Sequence, residues 1–189
     1  LAIAGIVIGI VILPNLSRYI KSKNKIKLEI LQNKSLELSL FLSLPATFAL
    51  IFASEEIVSA LFGYGSFNEE SVENSARALF YFALGLPAFS MIKIFSSFIF
   101  ARNDTKTPFY FSLISVILNI VISVSLFSKL GFIIIPIATS ISSWLNGFLL
   151  MVFVLNKNYF NFNNSFFIQL FKIFIVNIIC LGLFKILIN

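Results

Sequence analysis

The chain has 189 residues, of which 59% are hydrophobic and 12% are charged, with a formal net charge of +6 and a mean hydropathy of +0.99. Soluble globular domains carry about 25% charged residues, and a fold of this size leaves too much surface exposed to hide so much apolar content from water. The composition therefore excludes a soluble domain and predicts an integral membrane protein.

Composition also argues against several kinds of functional site. The sequence has no histidine and one cysteine, Cys180, which lies in an apolar run. It therefore offers neither a disulfide framework nor zinc-ligand spacing. The basic residues sit at the ends of apolar runs and not on a polar module, which argues against a nucleic-acid partner. With no paired acids inside the apolar runs and no glycine-rich phosphate loop, we expect no enzyme, no metal and no cofactor.

Six apolar segments follow one another along the chain. Residues 1–13 are too short to cross a membrane, which takes about 20 residues, and basic residues follow this run instead of preceding it as in a signal peptide. We expect it to be the second half of a membrane helix in a C-terminal piece of a larger protein. Five full-length segments come next, at residues 38–62, 76–100, 109–127, 132–155 and 166–188.

These lengths predict the fold class. Each full segment is long enough to cross roughly 30 Å of hydrocarbon as a helix. Helix is expected because lipid cannot satisfy the backbone groups of an open strand. We predict an all-α, polytopic transmembrane helix bundle with a half-span and five full spans. Residues 25–37 leave two interpretations open: a short helix on the inner membrane surface, or an extension of the following span.

The distribution of basic residues predicts which side each connection faces. Three alternate connections share nine of them, whereas the connections between hold Lys129 only, or two if Arg77 at the next helix start is counted. The positive-inside rule places the first set in the cytoplasm. The nine residues are Arg18, Lys21, Lys23, Lys25, Lys27, Lys34, Arg102, Lys106 and Lys157.

One of these connections is the polar stretch at residues 101–108, which includes Arg102, Asp104, Lys106 and Pro108. It predicts a cytoplasmic hairpin between two membrane helices. Pro108 is suited to the first turn of the second helix, where its missing N–H costs nothing. We expect Thr105 or Thr107 to cap that helix.

Polar residues inside the spans are the candidate functional residues. Lys93 lies within the third apolar segment, where a lysine at mid-bilayer costs about 2.5–3.5 kcal/mol. It either snorkels to the cytoplasmic headgroups or faces a water-filled cavity that receives an anionic group. Asn119 and Asn146 either hydrogen-bond between helices or line that cavity. Gly85 and Pro87 together form the strongest hinge candidate.

Three strings carry a resemblance to a known family: LPNLSR at 13–18, LFGYGSF at 61–67 and ARNDTKTP at 101–108. In this order and spacing, with GLPAF at 85–89 and Lys93, they resemble the MurJ/MviN family. Its members are the lipid II flippases of bacterial peptidoglycan synthesis. The family belongs to a superfamily that includes multidrug, oligosaccharidyl-lipid and polysaccharide exporters.

The resemblance implies an architecture and a domain division. The chain looks like part of the second lobe of a two-lobed, fourteen-helix alternating-access transporter. Residues 1–155 correspond to the end of helix eight through helix twelve. Residues 156–189 correspond to a loop and helix thirteen, one side of a lipid-tail groove. The first lobe and the final helix are absent from this sequence.

The resemblance also implies a function. Such proteins move undecaprenyl-pyrophosphate-linked disaccharide-pentapeptide from the inner to the outer leaflet of the bacterial inner membrane. The substrate cavity candidates are then Lys93, Asn119 and Asn146, and the hairpin residues become cytoplasmic gate candidates. The implied partners are lipid II, membrane lipids and other cell-wall synthesis and division proteins. Two alternatives stay open: an exporter of another lipid-linked oligosaccharide or a drug, and a membrane scaffold subunit without transport.

Overall fold

The computed structural model describes residues 2–65 and 67–188, with side chains for residues 11–65 and 67–180. Leu1 of the predicted first segment, Ser66 of the LFGYGSF string and Asn189 at the end of the 156–189 region lie outside the described residues. The described residues form helices and contain no strand. The helices are α1 (Ala2–Lys21), α2 (Lys25–Phe52), α3 (Ser54–Phe62), α4 (Glu69–Phe100), α5 (Lys106–Leu130), α6 (Ile134–Asn156) and α7 (Asn164–Ile188).

Among the residues whose side chains are described, three helical stretches are long and apolar enough to cross a membrane: Lys25–Phe52, Glu69–Phe100 and Lys106–Asn156. The last stretch consists of α5 and α6, joined by a 3-10 turn at Gly131–Ile133. At 1.5 Å per residue, α5 and α6 are each roughly 35 Å long, enough for one crossing apiece. The predicted fold class, a helical membrane bundle, is confirmed.

The predicted span at residues 38–62 is not one helix. It is interrupted at Ala53, where α2 ends, and α3 begins at Ser54. No glycine or proline marks this break. Glu55 and Glu56 lie in the first turn of α3, where acidic side chains stabilise the positive end of the helix dipole. At the other end of α2, residues 25–37 are continuous with the helix, so the extension interpretation holds.

The three prolines of the apolar segments leave their helices continuous. Pro45 lies inside α2 and Pro87 inside α4, and both helices run through without an interruption. Pro136 is in the first turn of α6, where it displaces no helical hydrogen bond. A proline inside a membrane helix is tolerated where local adjustments or neighbouring groups compensate for the lost backbone hydrogen bond.

Helix α4 is the centre of the bundle and packs against α1, α2, α3 and α6. The main core joins Leu16 of α1, Leu36 of α2, Ile94 of α4 and Leu150 of α6, each no more than 1% exposed. At one end, Phe160 from the α6–α7 connection packs against Phe95 and Phe98. A smaller cluster of Val58, Val72 and Ala76 joins α3 to the start of α4.

Candidate functional site

The α6–α7 connection, residues 157–163, is held by side chains from two other parts of the chain. Arg102 Nη2 and Gln32 Nε2 both donate to the carbonyl oxygen of Tyr159, at 2.9 Å and 2.8 Å. Asn33 donates to the Asn161 carbonyl at 3.0 Å and accepts from the backbone N–H of Asn163 at 3.2 Å. We call Gln32, Asn33 and Arg102 the loop clamp.

Arg102 makes further contacts that only a guanidinium supplies. Its Nη1 donates to the Phe98 carbonyl at 2.6 Å, and its Cζ lies 4.1 Å from the centroid of the Tyr159 ring. Burial lowers the pKa of Arg102, and the interaction with Tyr159 partly offsets this. The planar guanidinium of Arg102 thus donates to two carbonyls and also stacks on an aromatic ring.

The loop clamp shows that two connections meet at one end of the bundle, beside the first turns of α2. Gln32 follows the α1–α2 connection, Arg102 belongs to the α4–α5 connection, and Tyr159 to the α6–α7 connection. These are the connections that the charge distribution assigned to one side. Beside them lies a cavity of about 520 Å³, whose walls include the basic residues Lys23, Lys25, Arg102 and Lys157 and the acidic residue Glu29.

Asp104, and not a threonine, caps α5. Its Oδ1 accepts from the backbone N–H groups of Lys106 and Thr107 at 3.1 Å and 3.0 Å, and its Oδ2 accepts from the Thr107 hydroxyl at 2.7 Å. Thr105 stands at the N-cap position without a capping hydrogen bond, so the predicted cap is wrong. A carboxylate accepts two donors at once and also stabilises the helix dipole, which a hydroxyl does less well. These bonds, led by the one from the Thr107 side chain, lower the pKa of Asp104.

The other two hairpin candidates have simpler surroundings. Pro108 is buried in the first turn of α5, as the sequence predicts. The Lys106 side chain is exposed. The hairpin thus combines one exposed cation with a buried proline and two residues fixed by hydrogen bonds.

Lys93 lies on a face of α4 that the neighbouring helices leave open. Lys93 is exposed, and so are Phe82, Phe89 and Phe100. In the order Phe82, Phe89, Lys93, Phe100, successive residues are seven, four and seven positions apart. Residues at these spacings share one side of a helix. The faces toward α2 and α6 hold the buried residues of α4 instead. The open face is therefore a three-phenylalanine stripe with one cation in it.

Asn119 and Asn146 lie between α5 and α6. The Asn119 Nδ2 donates to the hydroxyls of Thr139 and Ser142 at 3.1 Å and 3.3 Å, which is the interhelical bonding expected of an amide in a span. Asn146 is 7% exposed and donates to Ser112 at 3.3 Å, but its Oδ1 has no partner among the described residues. The two amides are therefore not equivalent: one is bonded across the helices and the other keeps a free acceptor.

Gly85 and Pro87 lie where α4 and α6 approach closely. A Cβ on Gly85 would lie 2.9 Å from the Ser140 hydroxyl and 3.3 Å from its Cα. In the turn before Pro87, Ser140 donates to the Tyr81 carbonyl and Trp144 Nε1 donates to the Leu84 carbonyl at 2.9 Å. A proline weakens the helical bonding of the turn before it, so these α6 donors stabilise that turn. The observed role of Gly85 is close packing.

Sequence reasoning missed Gln32, Asn33 and Tyr159, and it gave Trp144 no role. The contacts of the first three join residues 57 to 130 positions apart, which no local pattern reveals. Asp104 was recoverable, since aspartate is among the best capping residues and stands just before the helix start.

The chain matches the family described as "Lipid II flippase MurJ" over residues 1–188. It belongs to the lipid II flippase MurJ family. A probable MurJ from Rhizobium meliloti (strain 1021) is 42% identical over 150 residues, which are 79% of this chain and 28% of the relative. One from Rickettsia prowazekii (strain Madrid E) is 38% identical over 146 residues, 77% of this chain and 29% of the relative.

A solved structure shares this architecture. "Lipid II flippase MurJ, inward closed conformation" aligns with a TM-score of 0.69 and 25% identity, over 98% of this chain and 44% of that one. The MurJ resemblance inferred from the sequence strings is confirmed. The chain spans less than a third of the length of the Rhizobium meliloti and Rickettsia prowazekii relatives.

Proposed function

We propose that the complete protein carrying this sequence moves lipid II from the inner to the outer leaflet of the bacterial inner membrane by alternating access. The observation that carries this proposal is the family match along residues 1–188, and the TM-score of 0.69 to a MurJ structure supports it. In this proposal, residues 1–155 contribute second-lobe helices, and residues 156–189 contribute the helix that borders a lipid-tail groove. Lipid II and membrane lipids are the ligands, and other cell-wall synthesis and division proteins are the proposed partners.

Lys93 is the proposed cationic contact in the transport path. A lysine in an apolar helix is costly unless it reaches water or an anionic partner, and the open face of α4 leaves it accessible. A pyrophosphate or a peptide carboxylate supplies the anionic partner. Asn119 and Asn146, between α5 and α6, are the further proposed polar contacts, Asn146 through its free amide oxygen.

The hairpin and the Gly85–Pro87 turn are the proposed moving parts. Arg102, Asp104, Lys106 and Pro108 form a gate on the cytoplasmic side, and the position of Arg102 in the wall of the basic cavity supports this role. Gly85 and Pro87 form the hinge of α4, which the weakened helical bonding before a proline supports.

The experiment that tests the function uses bacteria depleted of their own lipid II flippase. The complete protein is expressed there, and lipid II exposed on the outer leaflet is measured. We expect exposure to be restored by the natural protein and strongly reduced by Lys93→Ala at matched expression. Lys129→Ala, which removes an equally exposed lysine in the α5–α6 region, is the control and should restore exposure fully.

Each outcome has a distinct meaning. Failure of the natural protein to restore exposure, despite correct insertion, would shift the function to another exported substrate or to a role without transport. Restoration by Lys93→Ala at the natural level would remove this lysine from the transport path and leave it as a snorkelling anchor, with the flippase function intact.

A further inference from the structure

Two side chains of α6 hold the turn of α4 that precedes Pro87. The Ser140 hydroxyl donates to the Tyr81 carbonyl. One turn further along α6, Trp144 Nε1 donates to the Leu84 carbonyl at 2.9 Å. The two donors are four residues apart and the two acceptors three apart, so each pair lies on one side of its helix. Among the residues with described side chains, these are the two side-chain hydrogen bonds that join α4 to α6.

The turn that these bonds hold is the weakest part of α4. Pro87 has no N–H, so the carbonyl of Ala83, four residues earlier, loses its helical donor, and the proline ring crowds that carbonyl. Helices bend most readily where this bonding is interrupted. The carbonyls that accept from α6 stand on either side of Ala83 in the sequence. Gly85 lets α6 come close enough for these bonds, since a Cβ there would lie 2.9 Å from the Ser140 hydroxyl.

Beyond Pro87, α4 is held to α6 by apolar packing. The main core contains Ile94 of α4 and Leu150 of α6, which are 1% and 0% exposed. The loop clamp adds hydrogen bonds at the same end of α4. A bend at Pro87 that leaves this core intact must therefore move the earlier part of α4, residues 69–84, away from α6. That movement breaks both of the hydrogen bonds that α6 donates.

We propose that Ser140 and Trp144 form a latch that keeps α4 straight, and that α4 bends at Pro87 when this latch is released. The proposal rests on the proposed role of Gly85 and Pro87 as the hinge, and it makes Trp144 a positioning residue that acts through the α4 backbone. One net hydrogen bond biases an equilibrium about fivefold, so the two bonds together favour the straight form roughly 25-fold. Ligand binding commonly shifts conformational equilibria by about 5- to 150-fold, so a bound ligand can open the latch.

The distance between two spin labels, measured by pulsed electron spin resonance, tests the latch in the complete protein with its natural cysteines replaced. The labels are attached at Glu73 and Lys129, exposed residues of α4 and α5. Glu73 is about 21 Å before Pro87 along α4, so a bend of about 20° displaces it by roughly 7 Å. We expect the ratio of bent to straight protein to rise about fivefold in Trp144→Phe, and roughly 25-fold when Ser140→Ala is added.

Two controls separate the latch from general packing. Phe148→Leu changes a side chain one turn further along α6 that has no hydrogen-bonding group, and it should leave the distances unchanged. Pro87→Ala restores the missing N–H of α4. Adding Trp144→Phe to Pro87→Ala should therefore change the ratio of bent to straight protein by less than about twofold.

The outcomes for the latch and for the flippase function are separate, because the distance measurement needs no substrate. The latch is overturned if Ser140→Ala/Trp144→Phe leaves the distances unchanged, if Phe148→Leu shifts them equally, or if Trp144→Phe acts alike with and without Pro87. Distances that follow the latch, in a protein that restores no lipid II exposure, would uphold the latch and overturn the flippase proposal instead.

Discussion

Arg102 illustrates how much one side chain can fix at a helix end. Its guanidinium donates to two backbone carbonyls and covers the Tyr159 ring. The carbonyl of Tyr159 receives a second donor from Gln32. Loss of the Arg102 side chain would remove a donor from each of two half-buried or buried carbonyls, and Tyr159 would keep only the bond from Gln32. The residue is therefore a structural element of the hairpin as well as a gate candidate.

We predict that Arg102→Lys lowers the free energy of unfolding by about 1–3 kcal/mol, although the charge is kept. A lysine can neither donate to both carbonyls in this fork geometry nor stack on Tyr159 in the same way. Thermal unfolding of the complete protein in detergent, followed by circular dichroism, measures the effect. Lys106→Ala, at an exposed position of the same hairpin, should change the unfolding free energy by less than about 0.5 kcal/mol. Equal stability of Arg102→Lys and the natural protein would show that the clamp contributes little.

Asp104 gives a pH-dependent prediction. Its folded-state pKa is lowered, so the stability that it contributes is present above the unfolded pKa, about 4, and is lost as the pH falls through the folded value. Asp104→Asn removes this dependence and keeps part of the cap, whereas Asp104→Ala should cost about 1 kcal/mol at neutral pH. Unfolding midpoints of the three proteins, measured from neutral pH to about pH 3, provide the comparison. Parallel curves for the natural protein and Asp104→Asn would contradict the assignment of the cap.

Gly85 of α4 and Gly147 of α6 both lie where these two helices pack, but they differ in how closely the other helix approaches them. Gly85 meets Ser140 closely, but a Cβ on Gly147 would approach nothing nearer than 3.7 Å. Small residues let membrane helices approach each other, and only one of these two positions is at the limit of that approach. The Ser140 and Trp144 donors to α4 carbonyls depend on the same close spacing.

Alanine substitution should therefore have opposite effects at the two positions. Gly147→Ala should be neutral or stabilise by up to about 1 kcal/mol, because alanine is the better helix former. Gly85→Ala should destabilise by about 1–3 kcal/mol, because α4 and α6 must move apart. Unfolding of both variants in detergent, followed by the fluorescence of Trp144, decides between these effects. Destabilisation of the same size at both positions would mean that the helix spacing at Gly85 is not special.

Local sequence predicts several helices and one cap correctly. The features that it does not predict depend on packing between distant parts of the chain. Apolar runs indicate α4, α5 and α6 well, because lipid forces each run to satisfy its own backbone. The break at Ala53 was not predictable, since it has no glycine or proline and α3 is positioned by its packing on α4. The Asp104 cap was readable from residue type. The open face of α4 was not, because it depends on which sides the other helices cover.

In the whole molecule, the connections that carry most of the basic residues lie together at one end of the bundle. The sequence predicts that three connections share one side, and the structure places Lys23, Arg102 and Lys157, one from each, around one cavity. Sequence reasoning predicted that these connections lie together but not the contacts between them, because the contacts link residues far apart in the chain. The positive-inside rule uses only the number of lysines and arginines, whereas the clamp depends on the geometry of one arginine and two amides.

Labelling of single cysteines tests this topology in the complete protein, with Cys180→Ser and any other natural cysteine replaced. Cysteines at Lys106 and Asn158 should react with a membrane-impermeant thiol reagent only after the inner membrane is opened. Cysteines at Glu70 and Lys129 should react in intact cells, since all four positions are exposed and the pairs lie at opposite ends of the bundle. Labelling of Asn158 and Glu70 from the same side would refute the predicted topology.

The loop clamp has a mechanical consequence. Gln32 and Arg102 hold the same carbonyl, so α2 and α4 cannot separate at this end without releasing the α6–α7 connection as well. The opposite end has a small cluster of three buried residues between α3 and α4 and a turn at Gly131, whose φ of +61° suits glycine. The helices are thus joined by shared hydrogen bonds at one end and by a smaller set of apolar contacts at the other. A gate at the end that carries the loop clamp can therefore open only if the hydrogen bonds from Gln32 and Arg102 to the Tyr159 carbonyl break.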